Sequence, residues 1–212
     1  MINHMSMVSL IEELIRLGVL QDPRLTRILS SIDRADFIPP LERGRAYLAG
    51  ETISVGHGQT ASSPLVVIQM IEWLAPDIGH QVLDIGCGLS WPTAILARLV
   101  APKDEPVNQT GRVIGLEFMP ELAKAGIVNL AKYGLLKNRT VEIHCLDGRK
   151  GFSPQAPYDR IISGVAATEI PPAWLDQLKI GGRIVAPAGR EVWVIDKKTD
   201  QSLSKRKHRF TF

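Results

Sequence analysis

The run Val82-Leu83-Asp84-Ile85-Gly86-Cys87-Gly88 places an acid inside an apolar strand and ends in a turn flanked by two glycines. A second apolar run, Val113-Ile114-Gly115-Leu116, ends in Glu117, 33 residues after Asp84. Glycines let a backbone come close to a ligand. An acid at the end of the next strand accepts both hydroxyls of a ribose. Together these residues predict an α/β site for a nucleoside cofactor. A dinucleotide site normally needs G-x-G-x-x-G opening a helix, so that N–H groups hold a pyrophosphate. Here Gly86-Cys87-Gly88 continues as Leu89-Ser90-Trp91, with tryptophan at the third glycine position. S-adenosylmethionine carries ribose and adenine without phosphate and suits this loop better. A dinucleotide enzyme is the competing reading of these residues, since a fold alone fixes no function.

The elements that position these residues follow from periodicity. Met7, Leu10, Ile11, Leu14 and Ile15 recur at helical spacing. Asp22-Pro23 reads as the cap and first turn of a second helix carrying Leu25, Ile28, Leu29 and Ile32. Residues 44–61 are glycine-rich without helical period, and Gly56-His57-Gly58-Gln59-Thr60 reads as a close backbone approach. Ser62-Ser63-Pro64 predicts a helix start, continuing to about Leu74. Strands are expected at 81–85, 112–117, 140–145, 158–163, 182–187 and 190–196, with a last one near 206–212. Helices are expected at 91–100, 119–133 and 171–179, and a surface loop at 101–111. This alternation predicts a Rossmann-like, mostly parallel sheet with an antiparallel edge and an N-terminal helical extension. The expectation is one domain over 1–212, with helices and a substrate-side loop in about 1–78 and the cofactor core in about 79–212.

The chain has 212 residues, 45% hydrophobic and 22% charged, ordinary for a globular protein. No run approaches the roughly 20 apolar residues of a membrane helix. Residues 1–9 lack a basic segment followed by an apolar block, so no secretory leader is expected. Cys87 and Cys145 fall at strand ends and are expected to be buried free thiols in a reducing cytoplasm. No cluster of His, Cys or acids has metal-ligand spacing, so no metal is expected. His57, alone in a loop, reads as a surface or hydrogen-bonded residue, and Trp73, Trp174 and Trp193 read as packing residues. From Lys197 onward six Lys/Arg face one Asp. Without interleaved aromatics, the run Lys205-Arg206-Lys207-His208-Arg209 reads as a solvated edge strand, not a nucleic-acid interface.

Five segments in one order then carry a resemblance. They are Ala46-Tyr47, Gly56-His57-Gly58-Gln59-Thr60-Ala61-Ser62-Ser63-Pro64, Val82 to Gly88, Asp147-Gly148, and Pro157 to Ile162 continuing to Asp176 through Arg183. With these the chain resembles the protein-L-isoaspartate O-methyltransferase family, from about Leu25 to Phe212. The resemblance implies S-adenosylmethionine as cofactor and isoaspartyl-containing proteins as substrate. It implies methylation of the free α-carboxylate, closure of the ester to a succinimide, and hydrolysis that returns some normal aspartate. It implies Gln59, Thr60, Asp84, Gly86, Cys87 and Gly88 around the cofactor, with Gly86 and Gly88 bordering its methionine part. Glu117 would accept from the ribose and Asp147-Gly148 would flank the adenine. Ser62 matches the family's active-site hydroxyl and would position the acceptor; as a bare sequence feature, Ser62 or Ser63 simply caps the helix. A monomer is expected.

Three positions depart from the family pattern. Ser90 replaces a glycine of the cofactor loop, and a positive φ there would cost about 1 kcal/mol. Ala49 replaces an Asp or Asn. Ser163-Gly164-Val165-Ala166-Ala167-Thr168 replaces a run with alanines and a proline. These departures keep two other readings open: a methyltransferase for another carboxylate or a small-molecule acceptor, and a non-catalytic cofactor- or RNA-binding module.

Overall fold

The computed structural model describes residues 5–103, 110–189, 191–200 and 202–209. α1 (Met7–Arg16) opens on a capping box in which the Ser6 and Ser9 side chains each accept the other's backbone N–H. Leu10, Ile11 and Leu14 face inward, whereas Ile15 is exposed. α2 (Pro23–Leu29) begins with the Asp22 carboxylate accepting from Arg24 N. Asp33 caps a short 3-10 turn, Arg34–Phe37, in the same way.

β1 (Ile53–Gly56) and β2 (Gln59–Ala61) form an antiparallel hairpin that the glycine-rich sequence concealed. Gly56, His57 and Gly58 have φ of 87°, 54° and 69°. Nothing lies within 4 Å of a Cβ built at either glycine. These glycines therefore serve a left-handed hairpin turn. α3 (Pro64–Leu74) follows, with Pro64 in its first turn and the Ser63 hydroxyl accepting from Val66 N.

The α/β core then runs β3 (Gln81–Ile85), α4 (Trp91–Val100), β4 (Arg112–Glu117), α5 (Pro120–Lys132), β5 (Val141–Cys145), β6 (Tyr158–Ser163), α6 (Pro172–Asp176), β7 (Leu178–Ala188), β8 (Glu191–Thr199) and β9 (Ser202–His208). Among the described residues the main sheet is seven-stranded, in the order β5-β4-β3-β6-β7-β8-β9. Pairing is parallel from β5 to β7 and antiparallel for β8 and β9. Val82 of β3 belongs to the apolar cluster that includes Leu10, Leu25 and Ile95, while its neighbour Leu83 belongs to a separate cluster that includes Ile114, Tyr158 and Trp174. Burial on both faces explains why these strands read as continuous apolar runs.

Four details differ from the sequence expectation. α6 stops at Asp176 because Gln177 is held by Phe152 N and Lys150 O, and Leu178 already pairs with Tyr158 in the sheet. β7 therefore starts at Leu178, not 182. β9 starts at Ser202, which pairs with Thr199 of β8, and it ends at His208; residues 210–212 of the expected strand lie outside the described residues. Of the expected loop at 101–111, residues 104–109 also lie outside them. Cys87 is buried, but Cys145 is exposed, because it ends β5 at the sheet edge; both thiols are free.

The basic strand β9 is tied to its own sheet. Lys205 Nζ sits 2.9 Å from the Trp193 ring centroid, Lys207 pairs with Glu191, and Arg206 pairs with Asp196. No helix among the described residues is long and apolar enough to cross a membrane.

Candidate active site

From β3 the chain builds outward through β4 and β5, then crosses to β6 on the other side of β3. That reversal opens a crevice beyond the carboxyl ends of β3 and β6, where ligands bind in such sheets. A cavity of about 870 Å³ lies there. It is lined by the turns after β3, β4, β5 and β6, and is closed on the N-terminal side by Arg34, Gln59, Thr60 and Ser62.

The turn after β3 is shaped by its glycines. Gly86 has φ 72°, and a Cβ there would lie 2.3 Å from Val165 Cγ2. Gly86 N and Cys87 N both donate to Leu116 O, and Gly88 N donates to Glu117 Oε2 at 2.9 Å. The other carboxylate oxygen of Glu117 accepts from Met119 N at 2.9 Å. One buried acid thus holds both cofactor-side turns, and each oxygen keeps a lone pair for a ligand hydroxyl.

Ser90 adopts φ 70°, the left-handed conformation in which a serine in place of glycine carries a cost. It is buried, and its hydroxyl has no hydrogen-bond partner among the described residues. Gly126 makes room for it: a Cβ on that helical glycine would sit 2.4 Å from Ser90 Oγ and 2.9 Å from Gly88 O. Ser90→Gly should raise unfolding stability by about 1 kcal/mol, relieving the left-handed side chain and the unpaired hydroxyl. Urea unfolding measures it; a destabilised variant would mean that the serine makes a contribution this geometry does not contain.

Asp84 is buried and accepts from the Thr93 hydroxyl at 2.6 Å. Burial pushes its carboxyl up to about 6, against the Thr93 bond and with the charge of Glu117. A carboxyl raised in the folded state stabilises fully below its unfolded value near 4 and loses that contribution as pH rises through 6. His80, held down chiefly by burial, works in the opposite direction below pH 6.5. Comparison with Asp84→Asn isolates the carboxyl. In the cofactor-free protein that variant should come nearest to wild type at about pH 3, below the unfolded carboxyl value, and exceed it at pH 7 by roughly 2–3 kcal/mol. Equal stability at both pH values, in urea titrations, would show that Asp84 is not strained in the fold.

Two buried carboxylates beside this turn disfavour a pyrophosphate. They suit a ligand carrying a sulfonium and an ammonium, which is the charge pattern of S-adenosylmethionine. The residues present therefore fit that cofactor. Thiol chemistry finds no support at Cys87, whose thiol is pushed well up by burial, with Asp84 and Glu117 adding to the effect.

The family model for protein-L-isoaspartate(D-aspartate) O-methyltransferase (PCMT) matches residues 5–212. The chain belongs to this family. It is 38% identical over 203 residues to the protein-L-isoaspartate O-methyltransferase of Methanopyrus kandleri, covering 94% of this chain and 85% of that protein. It is 41% identical over 179 residues to that of Staphylothermus marinus, covering 84% and 77%. A solved protein-L-isoaspartate O-methyltransferase superposes with a TM-score of 0.81 at 27% identity, over 97% of this chain and 64% of that one. The same fold occurs at 22% identity and a TM-score of 0.84 in a Plasmodium falciparum structure described as a β-aspartate methyltransferase (PCMT) in complex with S-adenosyl-L-homocysteine, over 98% and 96% of the two chains.

Within this PCMT-family chain, Gln59, Thr60, Ser62, Asp84, Gly86, Cys87, Gly88, Glu117, Asp147 and Gly148 all line the one cavity. His57, at the hairpin tip, does not line it. Asp147 caps a 3-10 turn and binds Arg149 through its backbone N–H and guanidinium. The Arg149 bonds hold its carboxyl down at about 2. The neighbouring Gly148 is a site of close packing, since a Cβ there would lie 2.5 Å from Ile85 Cγ2. Its carbonyl accepts from Trp174 Nε1.

On the acceptor side, Ser63 and not Ser62 caps α3, and the Ser62 hydroxyl has no partner among the described residues. The first backbone N–H groups of this helix are engaged: Leu65 N donates to Ala49 O and Val66 N to Ser63 Oγ. Sequence reasoning also missed Thr93 and Arg34. A threonine in an apolar helix and an arginine in Asp33-Arg34-Ala35-Asp36 carry no signal of burial, yet Thr93 is 0% and Arg34 1% exposed.

Proposed function

We propose that this chain methylates the free α-carboxylate of L-isoaspartyl residues in damaged proteins, with S-adenosylmethionine as methyl donor. Family membership over 5–212 gives the reaction class. The observation that carries the assignment of roles is the shared cavity. An uncommitted Ser62 hydroxyl and two buried acids, Asp84 and Glu117, line it together.

When bound, S-adenosylmethionine supplies an electrophilic methyl group. Glu117 would accept from the ribose hydroxyls while holding Gly88 and Met119. Asp84 would lie on the side of the cofactor's cationic amino-acid end, and Gly148 beside the adenine. The acceptor is already an anion near pH 7, since its pKa lies at about 4, so no general base is required. What the protein must supply is alignment and exclusion of water. Ser62 would donate to one carboxylate oxygen and aim the other at the methyl group. Gln59 and Thr60, on the hairpin strand β2, would close the cavity behind it.

We further propose a monomer working in the reducing cytoplasm as one domain over 1–212, consistent with the free Cys87 and Cys145. Sedimentation at micromolar concentration checks the first point, and a dimer mass would contradict it.

The repair reading predicts a net chemical conversion. Repeated turnover on an isoaspartyl peptide should build up the aspartyl peptide through the succinimide, as followed by chromatography. Stable methylation with no aspartyl product would point to a different acceptor.

A further inference from the structure

We propose that Arg34 is the positioning residue of the acceptor site: it fixes Ser62 from behind and supplies the positive charge that selects a carboxylate acceptor. The proposal rests on the isoaspartate reading and adds a residue to it.

The guanidinium of Arg34 donates to Ala46 O at 2.6 Å and to Ser62 O at 2.9 Å. It thereby ties the backbone at Ala46 to the residue carrying the acceptor-side hydroxyl. Its Cζ lies 5.4 Å from the Trp91 ring centroid, so one face rests on the first residue of α4, next to the cofactor turn. Arg34 lines the same cavity as Ser62 and Trp91. The indole N–H of Trp91 is buried there without a partner among the described residues.

The charge of Arg34 is not neutralised. It is 1% exposed and makes no ion pair among the described residues. Burial lowers its pKa to about 10, which still leaves it protonated at neutral pH. A buried cation ordinarily carries a paired acid, because an unpaired one is costly. The missing anion is supplied if the acceptor carboxylate binds at Ser62. The start of α3 cannot supply the positive partner through free N–H groups, because Leu65 N and Val66 N are engaged. Asp84 and Glu117 would repel a second carboxylate in this cavity, and the Arg34 charge offsets that repulsion on the Ser62 side. Arg34 does not touch the substrate; it acts through Ser62 and through its field.

The test uses the full chain saturated with S-adenosylhomocysteine. Calorimetry compares a short isoaspartyl peptide with the same peptide carrying an α-carboxamide in place of the α-carboxylate. Wild type should prefer the carboxylate form. Arg34→Gln should lower that preference about tenfold, the scale of one partly screened charge interaction, with S-adenosylhomocysteine affinity kept within about threefold. Loss of packing alone would weaken both peptides equally. Arg34→Lys keeps the charge but cannot span both carbonyls with a rigid fork. It should hold the preference within about threefold while kcat falls about tenfold or more. Full preference in Arg34→Gln overturns the proposal. If that variant does not fold, a tenfold loss of preference in Arg34→Lys overturns it instead. A wild-type protein with no preference contradicts the isoaspartate reading itself, and the Arg34 role with it.

Discussion

Glu117→Ala should weaken binding of S-adenosylhomocysteine by about a hundredfold or more, because it removes the acceptor shared by two turns and a ligand. Glu117 is 7% exposed and accepts from Gly88 N and Met119 N, both at 2.9 Å. Truncation leaves two backbone donors unpaired near the cavity floor, each costing on the order of 1–3 kcal/mol. The folded state should therefore lose stability as well. Glu117→Gln separates the two effects. It preserves shape but only one acceptor oxygen, so it should restore one of the two backbone bonds and part of the stability while ligand affinity stays reduced. Calorimetry and urea unfolding on the same samples give both quantities. Affinity of Glu117→Ala within about threefold of wild type would remove this acid from the cofactor site.

Ser62→Ala should lower kcat with an isoaspartyl peptide about ten- to a hundredfold, the range expected when an acceptor is left misaligned by about an ångström. Cofactor affinity should stay within about threefold, because, among the described residues, Ser62 makes no hydrogen bond to Asp84, Glu117 or the turn after β3. Ser63→Ala is the informative contrast. Its hydroxyl accepts from Val66 N and caps α3, so its loss should cost about 1 kcal/mol of stability and leave kcat much less changed. If both variants behaved alike, Ser62 would be no more than part of the helix start. A fully active Ser62→Ala on an isoaspartyl peptide would make the site assignment wrong.

Much of the α/β core was legible in the sequence, because apolar strands buried on both faces leave unbroken runs. β3, β4 and β6 fall where Gln81–Ile85, Arg112–Glu117 and Tyr158–Ser163 predicted them. The Asp22 cap and the Pro64 helix start were legible for a local reason, since both are set within a few residues. The β1–β2 hairpin was not, because its strands are short and mostly exposed and its turn residues read as a loop. β9 lacks alternation, so only pairing with β8 places it.

At the site, Ser90 was legible as a departure, because a serine stands where the family pattern has a glycine. Its compensation by Gly126 was not, since the contact joins residues 36 apart on different elements. Arg34 was hidden more completely. Flanking acids make it look like a solvated surface residue, and only the fold shows that Asp33 instead caps the turn and accepts from the Tyr47 hydroxyl. The choice between Ser62 and Ser63 likewise needed three dimensions, because either hydroxyl satisfies the capping pattern.

The most direct test of the account is transfer of labelled methyl from S-adenosylmethionine to an isoaspartyl peptide, with the matching aspartyl peptide as control. The account predicts base-labile label on the isoaspartyl peptide and none above background on the control. Label on neither peptide, with cofactor binding confirmed by calorimetry, would contradict it and direct the search to another acceptor.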